Sequence, residues 1–426
     1  MKRHRPRFDY DAIPPDQQDG TSSFVHAALI FTGRLSEVPA WAAIPLWAAI
    51  ALGLRWAWGG GVPGLVAGGG FAVCIALDWA MLGLLPVARR SWGPVTSALL
   101  GLGVVHGLIF GAGALVARLL GPATPGGSIS LVATLVANLA LSATAFYATW
   151  IEPFALKISR QSHPAPGWTD GAPVRVLHLS DLHYEGDSPR ERRVLEALAR
   201  ERPHLLLLTG DYLNLSSVYD PVAQAGARQL LARLLHTPTG GNGTGTLPAW
   251  PPAPIAYAVT GSPVVDVEGI VPEIFAGLPI RWLDDEAVPA ELGDRRLWLL
   301  GVRTTYDYQR DAAALGRLAA ETPEEEFRIL LYHTPDLMPV AADLGIDLYL
   351  CGHTHGGQLR MPFYGAVATS SRWGKRYEQG RYREGRTTLY ISRGLGVEGL
   401  GAPRARFLAP PELIVWEFSG AGSAER

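Results

Sequence analysis

The chain has 426 residues, 48% hydrophobic and 18% charged, with a net charge of -2. That length exceeds one ordinary domain, and the near-neutral balance gives no basis for expecting nucleic acid as a partner. Only two cysteines occur, Cys74 and Cys351, one in each half of the chain. They argue against a structural disulfide and leave the redox compartment open.

The two halves differ in character. Residues 1–37 form an N-terminal tail carrying Lys2, Arg3, Arg5, Arg7 and Arg34. Residues 38–152 are dominated by Ala, Leu, Val and Gly. Four apolar segments run roughly from Val38 to Leu54, Val62 to Leu85, Pro94 to Ala117 and Ser128 to Ile151. Each approaches the ~20 residues that cross a hydrocarbon core. A buried bundle in a soluble protein is the plain alternative, but four such segments with charged breaks argue for a membrane region. Recurrence also argues against a cleaved signal peptide.

Basic residues set the orientation. Arg55 and Arg118 stand alone in their loops, whereas Arg89 with Arg90, and Lys157 with Arg160, fall on the side of the N-terminal tail. That side is expected to be cytoplasmic, and an even number of spans puts the C-terminal half there too. Asp78 and His106 lie mid-span in the second and third segments. An intramembrane ionisable residue raises the question of function. A hydrogen-bonded pair locking two helices is the preferred reading, because no other charges mark a transport path.

Residues 153–173 read as a linker, rich in Pro, Ser and Gly near the end, and residues 419–426 as a tail. Between them, residues 174–418 read as one α/β domain. "VRVLHLSDLH" is a strand stopping at Ser180, "SPRERRVLEALARER" a helix, and "HLLLLTGDYLN" an apolar strand. Continuous apolar strands are expected where both faces are covered. Asp181 and Asp211 follow the two strands, where open α/β sheets bind ligands. Asp181 and His183 are two apart, so an extended chain aims both the same way. "FRILLYHTPD" puts His333 at another strand end, and "DLYLCGHTHGGQ" puts His353 and His355 at a further one. Asp after a strand is often only a turn residue, and a lone His333 is more often packing. "GHTHGG" is more specific, because two histidines between glycines have little structural use. Taken together, the Asp and His residues predict a metal cluster. Mixed carboxylate and imidazole donors suit Mn, Fe or Zn better than Ca or Mg. His178, His204 and His236 are assigned to packing or loops.

These motifs resemble the calcineurin-like metallophosphoesterases: Asp181-x-His183, Gly210-Asp211, His333 and Gly352-His353-Thr354-His355. "GHTHGGQLRMPFYG", "LYISRGLG" and the apolar half leading through "IEPF" are similar to the membrane-attached bacterial branch. The resemblance implies an α-helical membrane region followed by an αββα sandwich. It implies two divalent metal ions bridged by Asp211 and a hydroxide that attacks phosphorus in line. Asp181, His183 and His355 would hold the first ion, and His333 and His353 the second. The expected partners are the lipid bilayer and a phosphate-ester substrate, lipid-linked in relatives that cleave UDP-diacylglucosamine.

One stretch departs from the family pattern. The family has Gly-Asn-His after its third strand, where the Asn is a ligand and the His serves the leaving group. This chain has Gly261-Ser262-Pro263. Ser262 is a candidate replacement ligand. Asp266, three residues beyond Pro263, is a candidate for the metal or the leaving group, and Asn214 is a further substitute. The plain alternative for Asp266 is the cap of a helix in "VEGIVPEIFAGL". Loss without repair fits the sequence as well, leaving a metal-binding but catalytically weak membrane protein with a regulatory or scaffolding role.

Overall fold

The structure is a computed structural model that describes residues 31–121, 124–168, 172–236, 256–399 and 404–420. The basic residues Lys2, Arg3, Arg5 and Arg7 and the tail beyond residue 420 lie outside the described residues. The chain divides near Ile151 into a helical unit and a sheet unit.

Among the described residues, four helices of the first unit are long and apolar enough to cross a membrane. They comprise Ala40–Ala57, Val62–Leu84, Thr96–Leu120 and a fourth that begins at Pro125, close to the segments marked by hydropathy. Most of their large apolar side chains face outward, including Leu52, Val73, Leu108 and Val136. Asp78 and His106 form the expected pair, with His106 Nε2 at 2.9 Å from Asp78 Oδ2. Asn138 extends it, its Oδ1 lying 2.7 Å from His106 Nδ1. The buried polar groups therefore tie three helices together.

Among the described residues the sheet unit has fourteen strands. They are β1 (Lys157–Pro164), β2 (Val174–Leu179), β3 (Leu205–Leu208), β4 (Ala256–Ala258), β5 (Ile280–Trp282), β6 (Glu286–Leu292), β7 (Arg295–Gly301), β8 (Arg328–Leu331), β9 (Leu348–Cys351), β10 (Arg360–Met361), β11 (Gly365–Ala366), β12 (Gly380–Glu384), β13 (Thr387–Ile391) and β14 (Glu412–Ser419). One sheet has the order β1-β14-β2-β3-β4-β5, the other β12-β13-β9-β8-β7-β6, and β10 forms a two-stranded sheet with β11. From β2 to β5 the strands are parallel, as they are from β13 through β9 and β8 to β7.

Period-two alternation divides each strand between two cores. Val174, Val176, Leu205 and Leu207 meet Leu299, Ile329, Leu331 and Leu350 between the sheets. Their neighbours Leu177, Leu179, Leu206 and Leu208 pack outward with residues of the helices Pro189–Glu201 and Pro221–His236. On the other side, Leu330, Tyr349, Leu389 and Ile391 pack with the helices Tyr308–Ala320 and Met338–Asp343. The layers are αββα, and double coverage explains why "LLLL" carries no polar residue.

The expected linker at residues 153–173 is different in the structure. Eight of its residues are β1, which runs parallel to β14 in continuous register from Lys157 with Glu412 to Pro164 with Ser419. "KISRQSHP" is an edge strand, largely exposed or half-buried, so it lacks the apolar content that marks the interior strands.

Candidate metal centre

Every candidate ligand leaves its strand at the same edge: Asp181 and His183 after β2, Asp211 after β3, Ser262 after β4, His333 after β8, and His353 and His355 after β9. The loops are tightly wound. Asp181, His183, Asp211, His353 and His355 all have positive φ, between 39° and 68°. Such values are uncommon for residues other than glycine and cluster at functional sites. Two glycines permit the crowding. A Cβ on Gly352 would lie 2.1 Å from Asp181 Oδ2, and one on Gly261 would lie 2.2 Å from Asp211 Oδ1.

Two groups of three donors result, each with its donor atoms within 4.8 Å of one another. In the first, His183 Nε2 lies 3.0 Å from His355 Nε2, and Asp181 Oδ1 lies 3.9 Å and 3.6 Å from these two nitrogens. In the second, His333 Nε2 lies 3.1 Å from His353 Nδ1 and 3.2 Å from Asp211 Oδ2. The same Asp211 oxygen is 3.5 Å from His183 Nε2 in the first group, so it stands between the two. Donors 2.0–2.2 Å from a cation stand roughly 3–3.6 Å apart from each other, and all of these separations except the 3.9 Å between Asp181 and His183 fall in that range.

Hydrogen bonds on the far sides of the imidazoles turn lone pairs toward the centre. His183 Nδ1 meets Glu398 Oε2 at 2.7 Å. His333 Nδ1 donates to Thr209 O at 2.7 Å, and His353 Nε2 to Ser370 O at 2.8 Å. Asp181 Oδ1 accepts from the amide of His353, while its buried Oδ2 has no hydrogen-bond partner among the described residues. That orphaned oxygen is what a cation would satisfy.

The electrostatics agree. Burial opposes charge on His183, yet Glu398, Asp211 and Asp181 outweigh it and hold its pKa at about 9. His333 is likewise raised to about 10 against burial, chiefly by Asp211. Burial, His183 and Arg406 push His355 well below its ordinary value. Burial also opposes ionisation of Asp211, but His333, His183 and His353 hold its carboxyl well below the usual range. The carboxylates thus draw positive charge into a buried site. A divalent cation supplies that charge by displacing the protons.

The altered third loop is placed in detail. Ser262 N donates to Asp211 Oδ1 at 2.7 Å. Its hydroxyl lies 3.3 Å from Asp211 Oδ2, 3.3 Å from His333 Nε2 and 3.4 Å from His353 Nδ1, facing the second group. Asp266 is placed otherwise than the sequence suggests. Its Oδ2 accepts from the amides of Asp211 at 2.8 Å and Gly261 at 2.7 Å, and its Oδ1 from that of Tyr212 at 3.0 Å. Neither oxygen is bonded to a metal-group side chain. Nor does Asp266 cap the following helix, Ile270–Phe275, whose N-cap is Gly269. The carboxylate pins the loops after β3 and β4 together. Burial, then Asp211, push its pKa up to about 7 against these three donors. Asn214 is also used elsewhere, donating to Val397 O and accepting from Ser216. His178 bonds Thr209 Oγ1 inside the core, and His204 accepts from the amide of Arg175.

Two participants were missed in the sequence. Glu398, which orients His183, is a lone acid in a glycine-rich run. Arg406 is wholly buried, donates to the carbonyls of Arg393, Gly394 and Ala409, and lies 3.3 Å from His355 Nδ1. No motif signals it.

Two carboxylate–imidazole groups sharing one aspartate, at the strand ends of a two-sheet sandwich, define a metal-dependent hydrolase. The family model of calcineurin-like phosphoesterases matches residues 174–357, and the chain belongs to that family. It is 30% identical over 289 residues to the uncharacterized metallophosphoesterase YkuE of Bacillus subtilis, covering 63% of this chain and 88% of that protein. It is 28% identical to phosphodiesterase YaeI of Escherichia coli, over 61% of this chain and 88% of that one. With UDP-2,3-diacylglucosamine pyrophosphatase LpxG of Chlamydia trachomatis it shares 24% identity over 68% of this chain and 97% of the relative. Calcineurin-like phosphoesterases use a dimetal site, and this chain is a hydrolase of phosphate esters by family.

Proposed function

We propose that the protein is a membrane-anchored phosphoesterase with two divalent metal ions, Mn, Fe or Zn. It hydrolyses a phosphodiester, phosphomonoester or pyrophosphate bond in a lipid-linked or membrane-surface substrate. The position of Asp211 Oδ2 between the two groups carries this reading. Asp181, His183 and His355 would hold one ion, His333, His353 and the Ser262 hydroxyl the other, and Asp211 both. Bound cations of this kind activate water and neutralise developing phosphoryl charge. Glu398, Thr209 O and Ser370 O orient the imidazoles, and Asp266 holds the loop that carries Ser262.

The lipid-linked class is supported by four apolar helices and by the similarity to the UDP-2,3-diacylglucosamine pyrophosphatase LpxG. The basic-residue pattern supports a cytoplasmic phosphoesterase domain on a multi-pass membrane anchor.

The test is metal analysis of the purified full chain alongside an aryl-phosphodiester assay. Asp211→Asn should abolish hydrolysis and lower metal content, because a neutral amide cannot replace a carboxylate shared by two cations. Unchanged turnover would refute the dinuclear reading. Ser262, in place of an amide ligand, favours one rival: a metal-binding but weakly catalytic regulator. One metal per chain and negligible turnover in the unmodified protein would establish that rival instead.

A further inference from the structure

The chain beyond His355 forms a small hairpin, β10 and β11, whose turn is Pro362, Phe363 and Tyr364. Met361, Tyr364 and Val367 are more than half exposed and Phe363 is fully exposed. Phe363 also sits at φ 64°, a conformation that a turn ordinarily gives to Gly or Asn. An aromatic residue here is unfavourable twice over in water, through its backbone and through its bare ring.

The root of the hairpin is tied to the metal groups. Arg360 Nη1 donates to Gly356 O at 2.6 Å, and His353 Nε2 donates to Ser370 O at 2.8 Å. Behind the tip is a cationic belt. Lys375 Nζ donates to the carbonyls of Tyr364 and Ala366 and lies 3.8 Å over the Tyr364 ring. Arg372 and Arg376 flank it, stacked on Tyr308 and Trp373. Of the acids nearby, Glu378 bridges Arg360 and Lys375, and Glu384 pairs with Arg376. A third carboxylate, Asp336, accepts from the Ser371 hydroxyl and the Arg372 amide, so four cations stand against three carboxylates and the belt keeps a net positive charge.

An apolar tip, a tyrosine behind it and then cations follow the layering of a membrane interface from acyl chain to headgroup phosphate. We infer that this hairpin inserts its tip, Met361 to Tyr364, into an anionic phospholipid surface and so holds His353 and the second metal group at headgroup level. The purpose of this contact rests on the membrane-surface reading above. Its test does not.

The full chain is reconstituted in phosphatidylcholine–phosphatidylglycerol vesicles with Phe363→Cys carrying an environment-sensitive fluorophore. Cys74 and Cys351 are buried, so the label goes to the new site, and Glu324→Cys on an exposed turn is the control. A bilayer-resident nitroxide lipid should quench the label at 363 at least about twofold more than the label at 324, and aqueous iodide the reverse. Equal iodide access at both positions overturns the inference. So does shielding of position 363 from both quenchers, which would mean a protein partner or a second copy.

In a second arm, Phe363→Ser with Tyr364→Ser should keep its rate on a water-soluble aryl phosphodiester while KM for a bilayer-embedded phosphate ester rises several-fold. An equal loss on both substrates would make the hairpin part of the fold rather than a membrane contact. If the unmodified protein cleaves neither substrate, the phosphoesterase reading fails, and the quenching arm still decides the hairpin.

Discussion

Replacing Asp266 with Ala removes the acceptor for three amides, those of Gly261, Asp211 and Tyr212. All three belong to buried residues at the metal edge. Each buried donor left without a partner costs about 1–3 kcal/mol, and a water entering the gap recovers part of that. The expected loss is therefore about 3–5 kcal/mol, a large share of the roughly 5–15 kcal/mol that stabilises a domain. A lost helix cap would cost only about 1 kcal/mol. Asp266→Asn should fall between, since its carbonyl still accepts while its amide group meets a third N–H head-on. Pulse proteolysis in urea measures the stability, and hydrogen exchange of the three amides locates the effect. Second-metal occupancy should fall as well, because the Ser262 loop loses its anchor. Ser262→Asn should not rescue the variant, since an amide at the metal does not replace the three lost acceptors. A stability cost below about 1 kcal/mol in Asp266→Ala, with protected amides, would refute the clamp.

Three further outcomes are expected. Glu398→Gln should weaken metal binding at the first group about tenfold or more; competition with a chelator measures it, and unchanged affinity would dismiss the role of Glu398 in orienting His183. His178 is held neutral by burial, its pKa lowered to about 3. Below pH 6.5 the unfolded chain takes up a proton that the folded one refuses, so stability present above that pH falls by about 2 kcal/mol at pH 5; His178→Leu should flatten the profile of unfolding midpoint against pH, and an identical profile would contradict this. A reporter active only outside the cytoplasm, fused after Arg426, should stay silent, and a signal from it would invert the topology.

The six Asp and His donors were legible because each directly follows an apolar strand, and strands that read as interior are interior. The αββα layering followed from the family motifs and from strands apolar on both faces. Other features carry no local signal. β1 is polar because it lies at a sheet edge, so it read as a linker. The partners of Asp266 are 50 residues or more away for two of its three bonds, at Asp211 and Tyr212. Sequence spacing allowed it to reach a metal but could not show that backbone amides reach it first. Glu398 and Arg406 act from loops near the end of the domain, where only the fold brings them to His183 and His355. The left-handed backbone at five donors is equally silent, since Asp and His do not announce it as glycine would.

β14 pairs with β1 on one side and with β2 on the other, so a strand near the C-terminus fills the gap between the first two. During synthesis, β1 and β2 leave the ribosome long before their shared neighbour exists. The first sheet cannot close, and its core cannot exclude water through Ile414, Trp416 and Phe418, until translation has passed residue 419. Pairings this distant along the chain form late. A nascent chain would therefore expose its apolar helices before its hydrolase domain could close. A product truncated ahead of β14 would leave the flanking edges of β1 and β2 open to aggregation and to proteolytic removal.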